Sequence, residues 1–427
     1  MIIIEKSNTR ERTLKLSVIE GALYTMAFNA TQGFVYSTLA LYYDFDPVVL
    51  SIVAVLPATS QMIQLFTPMV YRLVPSKKYA IFWTSLIARS VFVIIPLALI
   101  MNIKSHIIVA IPFIVFNILN NIVGNLWTSA MKSIVPEERR NTYFGFRNTV
   151  ATFAGLSAWI LYSLILQNMD RKMGLIVIYS VSSFVFILTA YFLYLHDIPD
   201  TKVIDYSIAT VFQSLKNRKF LNFLIFVFVW NFAIQFAGPF FSYFEVSYLE
   251  VPYSYLGILN IINSLLSMLM YTFYGKLSSK IGDKNMIRYG ITIALAIPLL
   301  YSLMTPRNYR FLLLLDVMIA ALAWSAINLS YFTLLLKIID EPSEIYISMH
   351  ATIAGLASLI ASYTGGKTLS LIKNFQFSFL SGYNVLFVIA FFLRIFALYY
   401  FTKLDIGEKH KSMKFIEIAY IIITRRY

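Results

Sequence analysis

The sequence predicts an all-α membrane protein with twelve transmembrane helices, arranged as two six-helix halves related by a parallel pseudo-repeat. Three observations predict it: twelve apolar runs of spanning length, a one-sided distribution of Lys and Arg, and an echo between the halves. Of the 427 residues, 59% are apolar and 13% charged, too little charge to surround a soluble core of this size. The net charge of +14 would suit nucleic acid. The cations instead sit in short segments between apolar runs, so the lipid bilayer is the expected partner and nucleic acid is not. Cysteine is absent, which removes disulfides, thiolate metal sites and cysteine nucleophiles.

The runs are 16–42, 48–71, 79–101, 107–131, 143–167, 173–195, 220–247, 254–274, 286–304, 310–335, 346–372 and 380–402. Each approaches or exceeds the roughly 20 apolar residues that a helix needs to cross a hydrocarbon core. Lys6, Arg10, Arg12 and Lys15 precede a first run of full spanning length, which reads as a helix flank rather than a cleaved signal peptide. The only long polar link, 196–219, divides the runs six and six. The expected organisation is an N-terminal half over 1–195, a central cytoplasmic loop over 196–219, a C-terminal half over 220–404 and a basic cytoplasmic tail over 405–427. With the N-terminus placed inside, the inner segments hold 26 of the 35 Lys and Arg and the outer loops hold 7, which predicts cytoplasmic termini and a multi-pass protein of the cell (plasma) membrane.

The echo lies in the fifth and eleventh runs, where Ala151-Thr-Phe-Ala-Gly-Leu156 matches Ala351-Thr-Ile-Ala-Gly-Leu356 at five of six positions. Pro47 and Pro252 each precede a second-rank run, and Pro136 and Pro342 each follow a fourth-rank one. These repeats fit two halves of parallel topology.

Gly275–Lys284 joins the eighth and ninth runs and carries Gly275, Leu277, Lys280, Gly282, Asp283 and Lys284 at set spacings. It resembles the cytoplasmic loop signature of the major facilitator superfamily, with Ser279 where that family commonly has aspartate. Val70-Tyr-Arg-Leu-Val-Pro-Ser-Lys-Lys78 looks like the first-half copy, keeping its basic pair but neither glycine nor aspartate. Pro136–Gly145 is similar to the family's loop between helices 4 and 5, with Arg140 at the usual arginine. The resemblance covers nearly the whole chain. It implies secondary active transport by alternating access, two halves rocking around a central site, with no cofactor, no metal and a monomeric state. It also implies that the loop glycines allow tight turns and close approach of helix ends, while Asp283 and the lysines make ion pairs in one state and break them in the other.

Polar residues inside spans are costly and tend to face a bundle interior or a wet cavity. At helical spacing, Asn29, Gln32 and Tyr36 share a face of the first run, and Asn117, Asn121 and Asn125 share one on the fourth. In the second half, Asn231 and Gln235 do so on the seventh run, extended by Gly238, Ser242 and Glu245, and Trp324 and Asn328 do so on the tenth. Periodicity and resemblance select the same helices as cavity-lining, against the competing role of amides as interhelical glue. Amides and aromatics with little charge suit a small neutral solute, sugar-like, or a drug-like amphiphile. Among ionisable residues, Glu20 and Arg147 are candidates for an ion pair, and Glu20 and Asp316 compete for a proton-carrying role. Arg89 and Arg394 are expected to snorkel or to pair locally. The alternatives by class are a membrane-embedded enzyme and a channel or receptor without coupled transport. An enzyme would draw on His196, Asp197, Asp200 and Asp205, or on Asp340, Glu341 and Glu344, which read better as solvated turns.

Overall fold

Helix starts are marked in the sequence by side chains that accept from otherwise unpaired backbone N–H groups. In a computed structural model of the chain, Asp46 accepts from the amides of Val48 and Val49 at 2.9 and 3.2 Å, with Pro47 in the first helical turn. Ser105, Asp170 and Asn217 accept in the same way from Ile108, Met173 and Phe220. The structure describes residues 2–66, 76–136, 139–199, 208–339, 343–377, 380–405, 413 and 417.

The helices are α1 (Ile2–Phe28), α2 (Gly33–Tyr42), α3 (Pro47–Thr59, continued as a 3-10 turn over Ser60–Phe66), α4 (Lys77–Ser90), α5 (Ile94–Ile100), α6 (His106–Ile134), α7 (Arg140–Asn168), α8 (Arg171–Tyr194), α9 (Ile208–Gln213), α10 (Arg218–Gln235), α11 (Gly238–Ser247), α12 (Tyr253–Ile281), α13 (Asp283–Ala294), α14 (Ala296–Leu303), α15 (Tyr309–Ile338), α16 (Ser343–Ile372) and α17 (Gly382–Lys403). A two-residue antiparallel hairpin, β1 (Gln376–Phe377) with β2 (Leu380–Ser381), precedes α17. Among the described residues, eleven helical stretches are long and apolar enough to span a bilayer. The first expected run is not among them: it is divided between α1, which carries the charged N-terminal segment, and the ten-residue α2.

Two compact units are present, Met1–Ser207 with Val251–Gly257, and Ile208–Glu250 with Ile258–Tyr427. In the first unit α1 packs on α7 and α8, and α4 packs on α6 and α8. Phe92 sits at the centre of this packing, its ring edge-on to Phe113 and Phe116 at 5.3 and 4.9 Å. In the second unit α13 packs on α15, α10 on α16 and α14 on α17. There Phe241 stacks on Phe387 at 4.9 Å. Trp83, Phe153, Phe184, Phe392 and Tyr399 remain outward-facing and exposed, as expected of side chains that meet lipid.

The first span of each unit is broken near its middle. In the first unit Asn29–Thr31 form a 3-10 turn, Gln32 is extended, and Gly33 turns the chain with φ +56°. A Cβ on Gly33 would lie 2.8 Å from the Trp159 ring, so the residue is glycine for both backbone and space. In the second unit the break falls at Phe236–Ala237, between α10 and α11. Each break is held by the fifth helix of its own unit. Asn29 Nδ2 donates to the Gly155 carbonyl on α7 at 2.8 Å, and Ser362 Oγ on α16 donates to the Gln235 carbonyl at 3.3 Å. Gly365 brings α16 so close that a Cβ there would lie 1.9 Å from the Phe236 carbonyl oxygen. The Gln235 carbonyl lies at the break, and a backbone group there needs a partner of this kind inside a membrane.

Candidate functional site

In the first unit the polar residues divide into two sets. Tyr36 and Asn117 are buried and use their polar atoms internally, Tyr36 Oη donating to the Leu50 carbonyl and Asn117 Nδ2 to the Phe113 carbonyl, both at 2.8 Å. Asn121 Nδ2 donates to Ser60 Oγ at 2.7 Å and Asn121 Oδ1 accepts from Gln64 at 3.3 Å, tying α6 to the 3-10 continuation of α3. Gln32 and Asn125 are half-buried on the same faces. Gln32 reaches Asn29 at 3.4 Å across the break.

The charged residues of this unit converge deeper in the packing. Glu20 is 4% exposed, and its two oxygens face two arginines, Arg89 Nη2 at 3.1 Å and Arg147 Nη2 at 3.5 Å. Arg89 therefore does not snorkel. Its side chain is buried and Glu20 is its partner. The Arg89 guanidinium stacks on Tyr24 at 4.8 Å and that of Arg147 on Trp127 at 4.4 Å. Asn120 Nδ2 donates to Tyr24 Oη at 2.7 Å, and Arg147 Nε donates to the Ser17 carbonyl at 3.2 Å. Gly21 makes room for this crossing, since a Cβ there would lie 2.5 Å from Arg147 Nη2. These groups surround a cavity of about 110 Å³.

His196, expected in a solvated turn, is buried at 1% exposure, with neither ring nitrogen hydrogen-bonded. Leu193 packs in the core beside it, which draws the chain inward after α8. Burial, Arg147 and Lys78 together push its pKa down to about 4. Asp200, Asp205, Asp340 and Glu341 lie outside the described residues, as does most of the stretch 70–78. Of that stretch, Lys77 is buried and donates to Ser129 Oγ at 3.0 Å.

In the second unit Asn231 donates to the Val227 carbonyl at 2.8 Å. Gln235 and Trp324 are half-buried, Trp324 stacking on Trp230 at 6.1 Å, and Asn328 is exposed with Nδ2 3.5 Å from Tyr271 Oη. A buried charged group occupies the other end of α15. Glu245 accepts a hydrogen bond from Tyr301 Oη, and Asp316 Oδ1 is buried without a hydrogen-bond partner. Asp316 feels the charges of Glu245 and Arg394. Arg394 is 1% exposed and donates to the Ala294 carbonyl at 2.8 Å, so it too does not snorkel. Glu245 was legible in the sequence only as the last member of the polar face on the seventh run. Its pairing with Tyr301 crosses helices and left no periodic signal.

The stretch Gly275–Lys284 is mostly helix. α12 continues to Ile281 because Tyr274, Leu277 and Ile281 fall on one face and bury against Met286 and Tyr289. Gly275 has nothing within 4 Å of a Cβ position, so the close approach expected of it is not needed there. The turn shrinks to Gly282, whose φ of +88° suits glycine. Asp283 is buried, accepting from Ser278 Oγ at 2.7 Å and from Lys337 Nζ at 2.5 Å. The last turn of α15 is thus tied to the start of α13. Lys284 donates to the Leu404 carbonyl, while Lys280 is exposed. Met413, from the segment expected to be a basic tail, donates its amide to Asn285 Oδ1 at 3.0 Å. The rest of that segment beyond Asp405, apart from Glu417, lies outside the described residues. Arg140 begins α7, and its side chain is likewise outside them.

A family profile described as Major Facilitator Superfamily matches residues 18–366. The chain belongs to that superfamily. Solved structures of the same fold include the nucleoside transporter NupG, at 15% identity and TM-score 0.70, covering 92% of this chain and 98% of that one. A D-xylose-proton symporter matches at 14% identity and TM-score 0.67, covering 94% and 99%. A bacterial homologue of the iron transporter ferroportin matches at 11% and 0.67, covering 92% and 98%. At these identities the likeness is one of fold. No curated protein matches the sequence. Membership of the superfamily accounts for the helix count and the twofold division, and makes the chain a transport protein of the membrane.

Proposed function

We propose that this chain is a secondary active transporter that moves a small solute across the plasma membrane by alternating access, as a monomer with both termini cytoplasmic. The observation that carries the reading is the family match over residues 18–366, joined to half-buried polar residues on the first and fourth spans of each unit. Gln32, Asn125, Gln235, Trp324 and Asn328 offer amides and an aromatic face, which suit the uncharged body of a sugar-like or amphiphilic solute. Asp316, with Glu245 and Arg394 around it, is the candidate proton carrier, and this favours proton-coupled over uncoupled transport. The test is uptake and efflux in proteoliposomes, scanning sugars, nucleosides and amphiphiles with and without an imposed proton gradient. Saturable flux that a proton gradient drives uphill, and that Asp316→Asn uncouples, is the expected result. Non-saturating flux at channel rates would overturn it.

A further inference from the structure

The cluster around Glu20 carries more positive charge than its own residues neutralise. Two arginines face one carboxylate, and guanidinium groups stay protonated in proteins. Arg89 is 3% exposed, yet its Nε and Nη1 have no hydrogen-bond partner, and neither has the buried Trp127 Nε1 on the same cavity wall. Arg89, Arg147 and Trp127 line, together with the single carboxylate of Glu20, one small space of about 110 Å³, so two cations and one anion share its wall. An unpaired donor and an unbalanced charge are both expensive away from water. Stacking on Tyr24 and Trp127 fixes the guanidinium planes beside the cavity. Gly124 borders the cavity with nothing within 4 Å of its Cβ position, and it is exposed, so the space has a mouth.

The geometry points to a binding site for a compact anionic group, a carboxylate by preference, held by Arg89 with Arg147 and Trp127 and balanced by Glu20. A carboxylate brings one negative charge, matching the surplus of one cation on the cavity wall. The cavity is too small for a whole sugar or drug, so it takes one end of a solute or a free small anion. This rests on the transporter reading only for its purpose, because binding can be measured without transport.

The experiment is titration of the purified full-length protein in detergent with sodium acetate, chloride or phosphate, at ionic strength held constant with methanesulfonate. Tryptophan fluorescence is read, with Trp127→Phe as the reference that isolates Trp127 from the other four of the five tryptophans. The expected result is a saturable Trp127 signal with acetate, weakened about tenfold or more in Arg89→Gln, as loss of a charged hydrogen-bond partner predicts. Glu20→Gln removes the competing carboxylate and should tighten acetate binding, the opposite of what a merely structural ion pair would do. Gly124→Leu, which leaves every charged group in place, should abolish saturation by closing the mouth. Saturation by acetate alone identifies the carboxylate of an organic solute as the source. Saturation by chloride or phosphate as well identifies a free inorganic anion. Absence of a saturable signal in the unmodified protein, or equal affinity in the folded Arg89→Gln and Glu20→Gln variants, would overturn the site. Flux in proteoliposomes that persists in that case would leave the transporter reading standing.

Discussion

Asp283 illustrates how one buried side chain can organise a helix junction. It is 3% exposed and accepts from Ser278 and Lys337, so three segments of the second unit meet at one carboxylate. Asp283→Asn keeps the shape and removes the charge. It is expected to slow proteoliposome transport several-fold while costing only about 1–2 kcal/mol of stability, since Lys337 is half in solvent. Insertion should be unaffected, which membrane extraction and size-exclusion profiles check. Transport at the original rate would show that the junction is not part of the cycle. His196 gives a second prediction. Its folded pKa of about 4 lies below the ordinary 6.5, so the unfolded chain binds the proton more readily between those values. Stability from keeping His196 neutral is fully present above pH 6.5 and is lost as pH falls towards 4, by roughly 3 kcal/mol at most. The melting temperature in detergent should therefore drop less steeply across that window in His196→Gln than in the unmodified protein.

At the scale of elements, the two glycines of Gly275–Lys284 separate cleanly. Gly275 stands inside α12 with open space around it, so Gly275→Ala should raise stability by about 0.5–1 kcal/mol. Gly282 has φ +88°, and Gly282→Ala should cost about 1 kcal/mol or more. Thermal unfolding of the two variants side by side checks the contrast, and equal effects would mean that the helix end lies elsewhere. The broken first spans follow a related logic. Asn29 and Gly33 in one unit, and Phe236 with Gly365 in the other, show a break held by a close neighbouring helix. The sequence contained the residues for this, since the Ala151–Leu156 echo includes Gly155, whose carbonyl accepts from Asn29. The break itself was not legible, because an apolar run interrupted by three polar residues still reads as one span by hydropathy. Discontinuous helices of this kind are where transporter backbones commonly meet cargo.

For the whole molecule, the charge asymmetry makes a prediction that the absence of cysteine renders simple to test. Single cysteines placed at Lys104 or Lys367 should react with a membrane-impermeant maleimide from outside intact cells. Cysteines at Lys216 or Lys403 should react only after permeabilisation. The reverse pattern would invert the topology and the assignment of both termini.

Hydropathy and the distribution of Lys and Arg are local quantities, and they were sufficient for the apolar spans and their order. They could do so because a bilayer demands internally satisfied backbone and long apolar stretches whatever the neighbours are. Partnership was decided only by the tertiary structure. That Arg89 and Arg147 share Glu20, that Glu245 meets Tyr301, and that Lys337 closes on Asp283 are contacts between residues 54 to 127 positions apart. A side chain's cost of burial depends on what faces it, and what faces it is set by how helices pack, which no single run records.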